Sequence, residues 1–337
     1  MRSGFNPNKD QLQQSSGFTH QVLIPVYIPT HQDYFKDSFE VLKCCLESLE
    51  KTVHCNTFIT VVNNGSSLKV RAYLDDLLAT GKIHELIHTT NIGKINAILK
   101  GLSGHDFELV TIADADVFFC SGWQEATYEI FKAFPKAGAV APLSFPTFLK
   151  YYTAPIWADH WSSGRLNFEP VKDPESLQAF AKSIGNSNFY NDAHLEKQLV
   201  LTNGEVKAGV GSGHFVNTYR GALFDPPAGK YSPYQLGGDS ETVFVDQPVM
   251  DSGLYRLATL NGYALHMGNT LEPWMQDKLQ ELEKSDKTTV DIRWNKLRVS
   301  PLRNWWVKLT FKVLTRRPIW NRLLRSKGLS ANQVRNY

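Results

Sequence analysis

Between residues 22 and 142, apolar runs of strand length alternate with segments whose apolar residues recur at helical spacing. Val22-Leu-Ile-Pro-Val-Tyr-Ile28 is the first run, followed by Phe35, Phe39, Leu42, Leu46 and Leu49 at helical intervals. Thr57-Phe-Ile-Thr-Val-Val62 is the second, stopped by Asn63-Asn64-Gly65, and a helix is expected over Leu68 to Thr80. Glu85 to His88 reads as a third strand, and a third helix starts near Gly93. Glu108 to Ile112, a helix from Trp123 to Phe134, and Gly138 to Pro142 complete the series. Strands alternating with helices over short connections predict an α/β class, a mostly parallel sheet with helices on both faces. Ligands of such sheets bind beyond the carboxyl ends of the strands.

Three polar groups fall at those ends: Asn63-Asn64, Asn91 to Lys94, and Asp114-Ala115-Asp116. The last interrupts the apolar stretch Val110 to Phe119. Unpaired carboxylates are costly to bury, so the pair belongs where a cation can meet it. Two aspartates at i and i+2 on a loop suit one divalent metal, Mn²⁺ or Mg²⁺, with substrate phosphates completing the shell. The alternative is a turn whose aspartates cap the helix at Gly122-Trp123. His266, near the end of a later short strand over Tyr263 to Asn269, offers a third ligand. Such a metal would neutralise the charge on a leaving nucleoside diphosphate. Lys94, at a helix start, is placed to assist phosphate or base binding.

The rhythm breaks after Pro142. Leu143 to Asn203 is aromatic, polar and without a clean period. Val206 to Tyr219, around Gly209-Val-Gly-Ser-Gly-His214, reads as a glycine-rich strand edge near the cleft, because no mononucleotide-binding unit surrounds it. Asp239, Glu241, Asp246 and Asp251 follow within thirteen residues. A transfer to a hydroxyl needs a base, and these are the candidates. Asp246 fits the cap of a helix with Pro248 in its first turn and Leu254, Leu257 and Ala258 on its apolar face. Asp251, placed in that first turn, is ranked first as base and Asp246 second, with Asp239 and Glu241 assigned to the acceptor.

Net charge is +3, but from Arg293 to Tyr337 there are twelve Lys or Arg and no acid, which leaves 24 basic against 33 acidic residues elsewhere. Leu302, Trp306, Leu309 and Val313 form one stripe, with Arg303, Lys308, Lys312 and Arg316 on other faces. A basic amphipathic helix with tryptophans matches an anionic membrane surface; packing on the core is the alternative. No nucleic-acid module is visible, so nucleic acid is not expected as a partner. No run of eighteen apolar residues could span a bilayer. The first twenty residues are polar, without the apolar core of a secretory signal, and are expected to be a disordered lead. Cys44, Cys45, Cys55 and Cys120 lack metal-type spacing and suit reduced thiols. The expected location is cytoplasmic, peripheral on the inner face of the membrane if the tail binds there. The expected divisions are 1–20 (lead), 21–142 (nucleotide-sugar half), 143–269 (acceptor and catalytic half of the same domain) and 270–337 (helical basic tail).

Taken together, these motifs carry a resemblance. Ile24-Pro25-Val26-Tyr27, Val62-Asn-Asn-Gly-Ser66, Asn91-Ile-Gly-Lys-Ile-Asn96 and Asp114-Ala-Asp116 occur in order, followed by Asp251 to Thr259 and Tyr263 to Gly268. From about Gln21 to Asn269 the chain resembles a family 2 inverting glycosyltransferase of the nucleotide-diphospho-sugar (GT-A type) fold. The resemblance implies a nucleotide-diphosphate sugar as donor, UDP-sugar favoured and GDP-sugar possible. It implies donor contacts from Pro25, Tyr27, Asn63, Asn64, Lys94, Asn96, Asp114 and Ala115. It implies metal at Asp114, Asp116 and His266, and a base on an acid ahead of the last helix. The sequence departs from the family at Asn63-Asn64, where an acid is common, and at Met250-Asp251, where Glu-Asp is common. The expected acceptor is a glycan or lipid-linked saccharide in bacterial-type surface polysaccharide synthesis. A sugar nucleotidyltransferase is disfavoured because Pro29-Thr-His-Gln-Asp33 replaces a basic glycine-rich loop. A non-catalytic sugar-nucleotide or glycan binder would not need the acidic set.

Overall fold

The computed structural model describes residues 4–6, 8–12, 16–224, 231–285 and 300–337. Part of the expected lead, and the start of the basic tail at residues 286–299, lie outside the described residues.

The opening half follows the sequence pattern. β1 (His20–Val26), β2 (Thr57–Asn64) and β3 (Glu85–Thr89) run parallel, and β4 (Leu109–Ala113) lies parallel on the other side of β1. β1 is buried on both faces, so its side chains divide by the period of two. Val22, Ile24 and Val26 enter one core with Phe39, Leu42, Val70 and Leu74. These come from α1 (Ser38–Thr52) and α2 (Leu68–Ala79). Leu23 enters another with Ile95 and Ile98 of α3 (Lys94–Leu102). The helices therefore cover opposite faces. Phe35, expected on α1, lies in a separate 3₁₀ turn, Asp33–Phe35.

β5 (Val117–Phe119) follows the aspartate pair, then α4 (Trp123–Ala133) and β6 (Ala137–Ala141). The aperiodic segment holds α5 (Ala154–His160), β7 (Leu166–Pro170), α6 (Pro174–Ser183), α7 (Asp192–Glu196) and β8 (Lys197–Asn203). β9 (Val206–Val210) and β10 (Val216–Arg220) come next. The ten-stranded sheet has the order β3-β2-β1-β4-β10-β6-β11-β9-β8-β7, where β11 is Tyr255–Ala258. β12 (Ala264–His266) pairs antiparallel with β5.

Two expectations are corrected here. The glycine-rich stretch is no sheet edge: β10 runs antiparallel between β4 and β6, in the middle of the sheet, and is buried throughout. Leu254, Leu257 and Ala258 do not line a helix. The helix α8 (Gln247–Asp251) stops two residues before Gly253, whose φ of 67° suits the position just past a helix end, and the chain enters β11 between β6 and β9. All four residues of β11 are buried, Arg256 included, and so short a run has no period that separates a strand from a helix.

The tail is helical where described. α9 (Pro273–Glu281) packs by Met275 and Leu279 into the α1 core. α10 (Pro301–Leu314) and α11 (Arg317–Ser326) close the far side, where Trp320 sits 4.7 Å ring to ring from Trp157.

A polar network ties the first strands to α4. His20 contacts Tyr128 (2.5 Å) and Thr111 (2.7 Å), while His54 reaches the same Tyr128 hydroxyl at 2.6 Å. His20 therefore starts β1 as a buried residue rather than ending a lead. Burial, then the neighbouring His54, pushes its pKa well below the ordinary histidine value; burial lowers that of His54 too, against Glu125. The folded state thus holds fewer protons than the unfolded chain below about pH 6.5. Stability should be full above that pH and fall as pH drops through it, by up to about 1.4 kcal/mol per pH unit for each histidine. Melting temperatures from pH 7.5 to 5 should show the decline, and His20→Gln should flatten it. An unchanged slope in the variant would remove His20 from the explanation.

Candidate functional site

A cleft of about 440 Å³ opens at the carboxyl ends of β1, β2 and β4. Pro25 and Tyr27 form the floor, with Tyr34 and Phe35 beside them. The rings of Tyr27 and Phe35 meet edge to face at 6.0 Å. Tyr34 and Tyr27 are 68% and 41% exposed, leaving aromatic surface for a planar guest. Asn64 contributes from β2, and Lys94 from the start of α3. Asp114, Ala115 and Asp116 line the inner wall. Gln235, Leu236, Gly268 and Asn269 complete the rim.

The polar centre is a lysine between two acids. Lys94 Nζ lies 2.6 Å from Asp114 Oδ1 and 2.5 Å from Glu241 Oε1. Burial opposes its charge, but the two carboxylates outweigh burial and raise its pKa. Burial would raise the Glu241 pKa as well; Lys94 and then His214 reverse this and hold it low. Both groups are therefore ionised at neutral pH. The backbone at Lys94 is fixed too, since its N–H donates to Gln235 O at 2.9 Å. Gly93 precedes it at φ 88°, and a Cβ there would meet Tyr234 O at 2.6 Å, so only glycine fits under that loop.

Asp116 is held differently. Its Oδ2 lies 3.4 Å from His266 Nε2, and its Oδ1 is buried with no hydrogen-bond partner. Burial lifts its pKa to about 6, with His266 pulling the other way and Asp114 adding to the rise. On the far side of the imidazole, Nδ1 lies 2.9 Å from Ser183 Oγ, which donates its own proton to Phe180 O at 2.7 Å. The serine can then only accept, so it takes the Nδ1 proton and fixes the ring with Nε2 turned towards Asp116. An orphaned carboxylate oxygen with an imidazole nitrogen close by is a donor set for a cation. Asp114 is engaged by Lys94, and among the described residues no three acidic, histidine or cysteine side chains form a ready cage. The residues thus fit a hard divalent ion that takes one or two carboxylates and draws its other ligands from substrate phosphates.

Pro25, Tyr27, Asn64, Lys94, Asp114, Ala115 and Asp116 share the cleft, with Glu241 joined through Lys94 and His266 through Asp116. Five other residues named from the sequence are placed elsewhere. Asn63 is buried, accepting from Ser66 N–H and contacting His88 at 2.9 Å. Asn96 staples α3 to a loop 136 residues later in the chain, donating to Ser232 O and accepting from Ser232 N–H. Asp239 is an exposed loop residue at φ 57°. Asp246 is wholly buried against Arg256, with His214 Nδ1 3.1 Å away. Burial and Arg256 push the pKa of His214 down to about 4, so it is neutral there. Asp251 is the last residue of α8, not in its first turn, and does not face the cleft: it pairs with Lys308 of α10 at 2.5 Å. Its displacement has a local cause. A π-turn, Thr242–Asp246, precedes α8, so the register differs from that of an uninterrupted α-helix.

The sequence reading missed Tyr34, Phe35, Gln235 and Leu236. The aromatic pair in the turn between the first strand and α1 was a usable signal. The other two residues sit more than a hundred positions from the aspartates they face, in a stretch without period.

Residues 26–174, a little under half of the chain, match the model of glycosyl transferase family 2. The observed sheet, with helices on both faces of its opening half, is of the α/β class that the sequence predicts. Among solved structures, S. aureus TarS 1–349 superposes with a TM-score of 0.47 at 11% identity, covering 89% of this chain and 73% of that one. The same protein with UDP-GlcNAc gives 0.44 at 12%, covering 94% and 69%. A mannosyltransferase from Pyrobaculum calidifontis with GDP-Man and Mn²⁺ gives 0.39 at 14%, covering 71% and 53%. No curated protein matches the chain.

Proposed function

We propose that the protein transfers a sugar from a nucleotide-diphosphate donor to a hydroxyl of a glycan or lipid-linked saccharide, with inversion. The observation that carries this is the convergence of Lys94, Asp114, Asp116 and Glu241 on a strand-end cleft floored by aromatic rings. The base and ribose rest on Tyr27 and Phe35, and the diphosphate meets Lys94. A divalent ion, held by Asp116 and His266 with Asp114, would supply positive charge to the leaving diphosphate. The base is Glu241 rather than Asp251 or Asp246, because it alone of the four acids reaches the Lys94–Asp114 centre. Its low pKa keeps it ready to accept a proton. Phosphates that draw Lys94 away would release Glu241 and strengthen it as a base.

Binding is tested by a thermal-shift panel of nucleotide sugars, including UDP-GlcNAc and GDP-mannose, with and without Mn²⁺. One donor class should raise the melting temperature, and more so with metal. With ligand at about a hundred times its Kd the stabilisation is about 2.7 kcal/mol, readily visible. No shift with any donor would defeat the proposal.

A further inference from the structure

α10 is apolar on two opposite faces. Val307, Phe311 and Leu314, spaced at i, i+4 and i+7, turn inward; Val307 is buried, and Phe311 and Leu314 pack against the core of α5 and α11. Leu302, Trp305, Trp306, Leu309 and Val313, at i, i+3, i+4, i+7 and i+11, turn outward and are 39–69% exposed. Core packing explains the first stripe and leaves the second unexplained. A contiguous outward stripe with two tryptophans is the kind of apolar patch that marks an interaction surface.

The helix is fixed so that this stripe faces away. Arg303 donates to Asp159 at 2.6 Å, Lys308 pairs with Asp251 at 2.5 Å, and Asn304 donates to the Asp251 carbonyl. Asp159 is held in turn by Lys136 and the Tyr255 hydroxyl. These clamps join α10 to α5, α8 and β11, so the outward stripe is presented by a rigid element.

The surrounding charge selects the partner. Residues 300–337 hold nine Lys or Arg and no Asp or Glu, and Lys312, Arg316 and Arg317 are exposed at the end of the stripe. Two copies meeting face to face would bring those cations together. An anionic bilayer meets both features: the headgroups take the cations, and tryptophan and leucine enter the acyl boundary. We infer that the outward face of α10, centred on Trp305 and Trp306, is a docking surface for an anionic lipid membrane. This goes beyond the donor chemistry and does not depend on it.

The test is co-sedimentation of the full chain with phosphatidylcholine vesicles, and with vesicles holding about 30% phosphatidylglycerol. Binding is expected to the anionic vesicles only and to weaken as salt rises. Trp305→Ala/Trp306→Ala should lower partitioning by about tenfold or more, and Lys312→Glu/Arg316→Glu should do so independently. All four side chains are exposed, so both variants should keep the wild-type melting temperature. Absence of binding to anionic vesicles, or binding indifferent to both double variants, overturns the inference. A dimer in sedimentation velocity that the tryptophan variant dissociates, without vesicle binding, assigns the face to a second copy and overturns it as well.

Discussion

Glu241→Gln is expected to lower turnover by about a thousandfold while donor binding is retained, the range typical for loss of a positioned general base. Glutamine keeps the shape and can still accept from Lys94, but it cannot take the acceptor proton. The split is therefore in kcat, with the donor-induced thermal shift kept. Asp251→Asn should leave kcat within about threefold, because its carboxylate faces Lys308 and solvent. The reverse pattern, an active Glu241→Gln and a dead Asp251→Asn, would return the base to the residue ranked first from the sequence. Asp246→Asn discriminates poorly, since it breaks a buried contact with Arg256 and should destabilise the fold by several kcal/mol.

Asp116→Ala is expected to abolish the Mn²⁺-dependent part of the donor shift and to cut kcat/KM by about a thousandfold. Loss of folding can be told apart from loss of function here. The variant deletes a buried oxygen without a partner, and removing such a group relieves a cost. The metal-free variant should therefore melt no lower than the wild type. His266→Ala should show a smaller loss of the same kind. Full turnover in Asp116→Ala would end the proposed leaving-group role.

The parts of this protein that were legible from sequence are those fixed by local pattern. The run from Val22 to Val26 fills cores on both faces, and its continuous apolarity signals that directly. Asp114 and Asp116 were visible because two acids at the end of a buried strand have no packing explanation. Pairings between distant segments were not visible. Nothing in Val216 to Arg220 states that the strand inserts antiparallel beside β4, more than a hundred residues earlier. The choice among Asp239, Glu241, Asp246 and Asp251 was equally closed. All four lie within thirteen residues of good capping and loop positions, and only a π-turn and the reach of Lys94 single out Glu241. Asn63 and Asn96 misled for a related reason: a polar residue at a strand end or helix start can face a ligand or staple a loop, and both staple.

The most direct measurement follows release of nucleoside diphosphate from each donor in the panel, with wild type and Asp116→Ala side by side. The proposed sugar transfer predicts divalent-dependent release from one donor class by the wild type, through slow transfer to water, and almost none by the variant. Release that is equal in the two proteins, or none from any donor together with pyrophosphate formed from a nucleoside triphosphate and a sugar phosphate, would contradict it.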